Sequence, residues 1–373
     1  MKKITSILGA SALTAIAATS ASAGGIDRSG QGIGILFEQG RMIELSFGHV
    51  SPSVSGNDLA MFGGGASGDV VDDFTQLSLG YKYDINDSLS FALIIDQPFG
   101  AEVSYAPSSV ALGGTAADAD ATAVTGLLRY KMGNGFSVHG GVRYQKSKAN
   151  VDLRGAAYGP LNGYSVDLEA DAGIGYVVGV AYERPDIALR VALTYHSAVK
   201  HKFNTLETLN GAPIGPMSIT NVKTPQSVNL DFQTGIAADT LIFGQIRWAD
   251  WSEFRLDPAV FTGLAGDGLI SLDDTTTFTI GVGRRFNDNW SGAFSVSYEK
   301  KGNPLVSPLA PTTGRLGATL AAVYTNGNMK VTTGINYTKL GDANPETGTP
   351  DTARAEFRDN KAFGVGIKVG YRF

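Results

Sequence analysis

The final thirteen residues, KAFGVGIKVGYRF (361–373), alternate without a break. Phe363, Val365, Ile367, Val369, Tyr371 and Phe373 fall on one parity, and Ala362, Gly364, Gly366, Lys368, Gly370 and Arg372 fall on the other. A period of two sends successive side chains to opposite faces of a strand, so this segment has one apolar face and one small or charged face. Chain ends are usually polar and frayed. Here the apolar face runs to the last residue, which therefore needs an apolar surrounding.

The pattern recurs along the chain. Segments near 41–52, 73–84, 88–99, 120–132, 136–148, 167–182, 187–203, 225–235, 239–251, 275–286, 290–301, 313–324, 329–340 and 361–373 read as fourteen strands, an even number. Leu77, Leu79, Tyr81 and Tyr83 form one apolar row, and Ile187, Leu189, Val191, Leu193 and Tyr195 another. The opposite parity is rich in Gly, Ala, Ser and Thr with scattered charges. A soluble sandwich also alternates, but its outer faces are charged. Connections alternate between short Asn, Asp, Gly and Pro turns (85–87, 133–135, 184–186, 236–238, 287–289, 325–328) and long segments. The predicted fold is all-β: a transmembrane antiparallel barrel of about fourteen strands, with tight periplasmic turns and long outer loops. The last strand must pair with the first, because lipid tolerates no open edge. Aromatics near strand ends, among them Tyr83, Tyr182, Trp248, Trp251, Phe286, Trp290, Tyr324 and Tyr371, are expected in the interfacial girdles.

The other end fits export. Lys2 and Lys3, an apolar stretch from Ile4 to Ala18 and Ala21-Ser22-Ala23 have the form of a cleaved signal peptide over 1–23. Losing its two lysines takes the net charge from −5 to −7. That acidity argues against nucleic acid as a partner. The chain has no cysteine, so no disulfide holds it. No apolar run of helix-spanning length follows the signal. Residues 24–40 precede the first strand as a short plug, and 41–373 form the barrel.

The segment TPQSVNLDFQTGIAADTLIFGQIRWADWSEF (224–254) carries the most specific pattern: a Pro-x-Ser-Val strand, a tight turn, and a strand ending in Trp-x-x-Trp-Ser. With Pro225, Ser227, Val228, Trp248, Trp251 and Ser252 in those places, it resembles the FadL/TodX family of outer-membrane transporters for long-chain fatty acids and other hydrophobic molecules. LTYHSAVKHKFN (193–204) resembles the strand leading into that family's fourth outer loop. The resemblance implies capture by the outer loops, a pocket in the lumen, and exit through a gap where the third strand kinks, without nucleotide, ion coupling or cofactor. The family's Asn-Pro-Ala plug motif is absent here. The terminal Phe373 resembles the signal read by the barrel-assembly machinery. A monomer in outer-membrane lipid is expected.

A fatty acid would need a cation in the lumen. Arg129, Lys131, His139, Arg143, Arg190, His196, Arg247 and Arg315 are predicted on the polar parity, where arginines can grip a carboxylate. They can equally pair with Glu44, Asp96, Glu169, Asp171 and Asp231. Arg143 and Arg190, in mid-wall, are the foremost candidates, followed by Arg129, Arg247 and His139. Pro98 cannot donate a ladder bond and Gly100 weakens a strand, so the wall is expected to open, or the strand to end, near them. Val110, Leu112, Ile214 and Met217 place apolar surface in outer loops, for ligand capture or as a lid. Enzyme signals are weak. No Gly-x-Ser-x-Gly elbow occurs, and the four histidines have no metal-ligand company. A general diffusion porin, favoured by the short plug, and an outer-membrane lipase with a Ser–His pair are the alternatives.

Overall fold

The computed structural model describes residues 26–373. The signal-peptide segment lies outside the described residues. Fourteen antiparallel strands form the wall: β1 (Met42–Ser53), β2 (Phe74–Asp84), β3 (Leu89–Asp96, resuming as Gly100–Ser104), β4 (Ala116–Gly133), β5 (Phe136–Leu153), β6 (Tyr164–Arg184) and β7 (Leu189–His196, resuming as Val199–Leu209). They continue with β8 (Ser218–Thr224, resuming as Ser227–Ala237), β9 (Thr240–Ala249), β10 (Thr275–Arg285), β11 (Trp290–Glu299), β12 (Arg315–Asn326), β13 (Met329–Leu340) and β14 (Lys361–Arg372). Each strand pairs with its sequence neighbour. β14 closes on β1, from Met42 opposite Arg372 to Ser53 opposite Lys361. Closure leaves no open edge strand, as lipid requires. The Phe373 N–H donates to the Arg41 carbonyl at 3.0 Å, so the pairing continues to the chain end.

The outward parity is apolar and exposed: Leu45, Leu77, Leu128, Val142, Ile174, Ile280, Leu320 and Ile335 have no cover within the chain. The lumen parity is small or charged. β4 to β6 are longer than the periodicity implies, at 18 to 21 residues, because Ala116–Ala119, Ala149–Leu153 and Tyr164–Val166 also pair above the apolar band. β7 and β8 likewise extend into the predicted loop 204–224, as Val199–Thr205 pairs with Ser218–Thr224. Tight turns carry positive φ at Asn134 and Asp239, residue types that tolerate it.

Outside, the loops have an apolar core of their own. Val54, Val70, Tyr105, Leu112, Trp251, Phe261, Leu309 and Phe357 are buried there. Trp251 is therefore not a girdle residue. It is fully buried, edge-on to Phe99 (5.4 Å) and Phe254 (5.7 Å). Burial of such side chains is worth ~2–3 kcal/mol each, enough to hold long loops as a lid. Glu207 of β7 fastens one part of it, accepting from the Val260 and Phe261 amides (2.9 and 2.7 Å) at the start of α1 (Ala259–Ala265) and from Tyr164 Oη (2.8 Å).

The β13–β14 loop contains one pH-sensitive member. Burial, reinforced by nearby Asp351 and only partly offset by Arg354, pushes the Glu346 carboxyl from 4.5 up to about 7. Between those values the folded protein keeps a proton that the unfolded chain has released, so this loop's stability falls as pH rises through that window. Glu346→Gln should abolish that fall. Limited proteolysis of 341–360 at acid and neutral pH measures it, and an unchanged pH dependence in the variant would contradict the assignment.

Candidate functional site: plug, loop pocket and wall gap

Residues 26–41 run through the lumen although few of them form regular structure. Ile33, Ile35, Leu36 and Phe37 are buried against Ala92, Leu127, Val177, Ala181 and Ala192, whose small lumen-facing side chains make room. The Phe37 ring lies between the Arg129 and Arg190 guanidiniums (4.6 and 4.8 Å) and edge-on to His139 at 6.0 Å. Such cation–π contacts strengthen where water is excluded. Arg129 also bonds Ser137 and Glu183, and His139 bonds Thr194 at 3.0 Å. Arg247 donates to Asp27 (2.8 Å), Ser227 (3.0 Å) and Asn229 (2.9 Å), and Asn229 in turn donates to the Gly30 carbonyl. At the periplasmic end, the Gly40 carbonyl accepts from Lys82 and its amide donates to Asp84.

Four of the five foremost lumen candidates thus touch or bond the N-terminal segment: Arg129, Arg190, Arg247 and His139. Arg143 does not share those contacts. Its Nε donates to Thr125 (3.0 Å), while its Nη1 is buried without a hydrogen-bond partner among the described residues.

Above Arg143 the lumen turns apolar. A cavity of about 100 Å³ is lined by Ile26, Phe99, Ala119, Phe203, Trp251 and Leu256, among others. The sequence run AADADATA (116–123) explains its position: Ala117, Ala119 and Ala121 face inward and leave space, while Asp118 and Asp120 face out. The Trp251 indole N–H, buried in this lining, has no partner among the described residues. Leu112 is buried in the lid core and Ile214 packs half-buried against it, whereas Val110 and Met217 are exposed (55% and 59%). The loop residues therefore divide between lid and outer surface.

The wall is interrupted beside this cavity. β2 pairs with β3 only from Leu79 opposite Ile95 to Asp84 opposite Ser90. On β3's other side, Asp96 faces Ala123 and Gly100 faces Asp120, so three residues (97–99) oppose two. The extra residue, at a proline without an N–H, bends β3 away from β2. Side chains and the plug fill in for the lost ladder. Gln97 Oε1 accepts from the Leu77 amide (3.0 Å), Arg28 N–H donates to the Pro98 carbonyl (2.9 Å), and Gly100 N–H donates to the Ile26 carbonyl (3.0 Å). The Arg28 guanidinium lies in the gap. It stacks on Phe74 of β2 at 4.2 Å and reaches Glu102 of β3 at 3.5 Å. A Cβ at Gly100 would stand 2.5 Å from Arg28 Cζ, so a side chain there would push the guanidinium aside. Higher up, Asp72 N–H donates to the Glu102 carbonyl and the wall closes again.

These features define a class: an outer-membrane β-barrel whose lumen is occupied by its own N-terminus and whose wall is broken at one place. The chain belongs to the outer membrane transport protein family OMPP1/FadL/TodX, whose pattern it matches over residues 38–373. No curated protein matches the sequence. Among solved structures, a Pseudomonas aeruginosa FadL homologue superposes with a TM-score of 0.70 at 15% identity, covering 91% of this chain and 92% of that one. The P. putida toluene transporter TodX gives 0.62 at 13% identity over 90% of each chain. The Ralstonia pickettii toluene transporter TbuX gives 0.62 at 14%, over 91% of this chain and 90% of that one. At these identities the likeness establishes the fold. Membership of a transport family argues against the lipase alternative.

Proposed function

We propose that this barrel takes up compact, uncharged hydrophobic molecules, holds them in the loop pocket, and releases them sideways into the membrane between β2 and β3. One observation carries the reading: Phe99, Gly100 and Ala101 of the kinked strand line the apolar pocket and also border the gap. A ligand in the pocket is already against the exit. The volume of about 100 Å³ suits a single ring better than a long acyl chain, and the free indole N–H of Trp251 can meet an aromatic face. Two of the structural neighbours are described as toluene transporters.

Long-chain fatty acids are the second reading. Arg143 favours it, with an unsatisfied nitrogen beneath the pocket where a carboxylate could sit. Arg129, Arg190, Arg247 and His139 are taken up by the N-terminal segment and serve as its fastenings. Exposed Val110 and Met217 would make the first contact with ligand, and Phe373, paired to the wall to its last amide, would be the residue presented to the assembly machinery.

Filling the pocket tests the main reading. Ala119→Phe should weaken toluene binding to the purified barrel by at least about tenfold, since the ring displaces a ligand worth at least ~1.4 kcal/mol there. Arg143→Ala should leave toluene binding unchanged. A folded Ala119→Phe barrel that still binds toluene as the parent does would place the site elsewhere. A selective loss of oleate binding in Arg143→Ala would favour the fatty-acid reading.

A further inference from the structure

The outward face of β5 to β8 changes character abruptly above the apolar band. Tyr144, Ile174 and Tyr176 are exposed apolar side chains. One row higher stand Lys146 on β5, exposed Ala172 on β6, Lys200 on β7 and Lys223 on β8. From Phe136, in the periplasmic aromatic layer beside Tyr182, to Lys146 is ten residues, which at ~3.3 Å per residue and ~40° tilt rises about 25 Å, the height of a barrel's apolar band. The row therefore lies where the outer-leaflet headgroups begin.

Its charges are arranged against their own interest. Lys200 is directly opposite Lys223, and like charges so placed repel across the ladder. Lys202 stands one step above. Lys223 is neutralised from the side by Glu253 (2.8 Å) and Lys148 by Asp120 (3.3 Å). Lys146, Lys200 and Lys202, all exposed, have no ion pair among the described residues. The nearest acids are turned to other work. Asp171 accepts from the Lys202 backbone amide (2.9 Å) and faces His201, while Glu169 accepts from the Asn204 amide (3.1 Å). Between Lys146 and Lys200, strand β6 presents only Ala172 outward, while Gly173 is buried on the lumen parity. Gly173 lies so close to β7 that a Cβ would stand 2.5 Å from the Lys200 carbonyl. The result is a shallow cradle, floored by Ala172, rimmed by three unpaired ammonium groups and standing on tyrosines.

We infer that this cradle binds the phosphate of an outer-leaflet glycolipid, with Lys146, Lys200 and Lys202 donating to the phosphate oxygens and Tyr144, Ile174 and Tyr176 lying along its acyl chains. Lysines at a membrane surface attract anionic headgroups, and charge-assisted bonds to phosphate are short and strong. The site is on the lipid-facing wall, apart from the lumen and the gap.

Native mass spectrometry of the purified full barrel with diphosphorylated lipid A in nonionic detergent tests this. The parent should hold the lipid about a hundredfold more tightly than Lys146→Ala/Lys200→Ala/Lys202→Ala, as expected for losing three surface cations. Lys300→Ala/Lys301→Ala, in the loop after β11, should bind like the parent. The same lipid with its phosphates removed should bind the parent as weakly as intact lipid binds the triple variant, an arm that needs no mutation. Excess inorganic phosphate should not displace the lipid. Equal binding by the triple variant, equal retention of dephosphorylated lipid, equal weakening in the control variant, or complete displacement by free phosphate would each overturn the assignment.

Discussion

Tying β2 to β3 across the gap should stop delivery while sparing capture. The chain contains no cysteine, so Leu77→Cys and Gln97→Cys introduce the only two thiols. These positions flank the interruption, since Gln97 caps the Leu77 amide, and neither lines the apolar pocket. A short cleavable bismaleimide joining them should cut toluene uptake into vesicles by about tenfold or more, the effect of adding at least ~1.4 kcal/mol to the exit barrier. Binding to the detergent-solubilised barrel should be unaltered, and cleaving the linker should restore uptake. Arg28→Ala, which empties the gap, should speed release. Full uptake through a folded, cross-linked barrel would mean that ligand leaves by the periplasmic end.

The second large effect concerns what closes the lumen. Arg247 and Asp27 are both buried, at 5% and 3% exposure, and the arginine also gathers Ser227 and Asn229. Removing one partner of a buried ion pair strands the other and costs ~3–5 kcal/mol. Arg247→Ala should therefore loosen residues 26–31 and open an ion path. Planar-bilayer conductance should be small in the parent and rise by about tenfold or more in the variant, because ~3 kcal/mol shifts a closed–open equilibrium by more than a hundredfold. Phe37→Ala, which removes the ring between Arg129 and Arg190, should act in the same direction and more weakly. A parent with a large, permanent conductance would restore the diffusion porin. A folded Arg247→Ala barrel as tight as the parent would assign closure to other contacts.

Both experiments turn on residues of different legibility. Pro98 and Gly100 could be picked out because proline and glycine have backbone consequences that hold in any context. Arg28, which lies in the resulting gap, could not. It is one arginine in an aperiodic segment, and its importance comes from Phe74 and Glu102, 46 and 74 positions away. Phe37 is similar: nothing local marks it as the ring between two arginines. The lumen cations were recognisable as lumen residues by parity alone. Parity cannot tell which of them the N-terminus occupies, because that depends on how sixteen residues without a period thread the barrel.

Trp251 shows where the local rule misleads. An aromatic at a strand end belongs in a girdle unless a loop returns over it, and here the loops do return, seating it beside Phe99 and Phe254. The upper parts of β7 and β8 were unreadable for a related reason. Above the membrane both faces of the hairpin meet water or other loops, so the apolar alternation fades although the ladder continues.

The sequence by itself determined the strand count, the inside and outside of the wall, the closure and the membrane, because a two-residue period is local and lipid admits one solution to it. It marked Pro98 and Gly100 as a place where β3 either opens or ends. Only the tertiary structure decided that the N-terminus fastens itself with Arg247, Arg129 and Arg190, that an alanine run opens into a pocket beneath Trp251, that Arg28 stands in the gap, and that three lysines from two strands line up on one rim. Each of these depends on contacts between residues far apart in the chain, and no period along it encodes which partners the closed barrel will bring together.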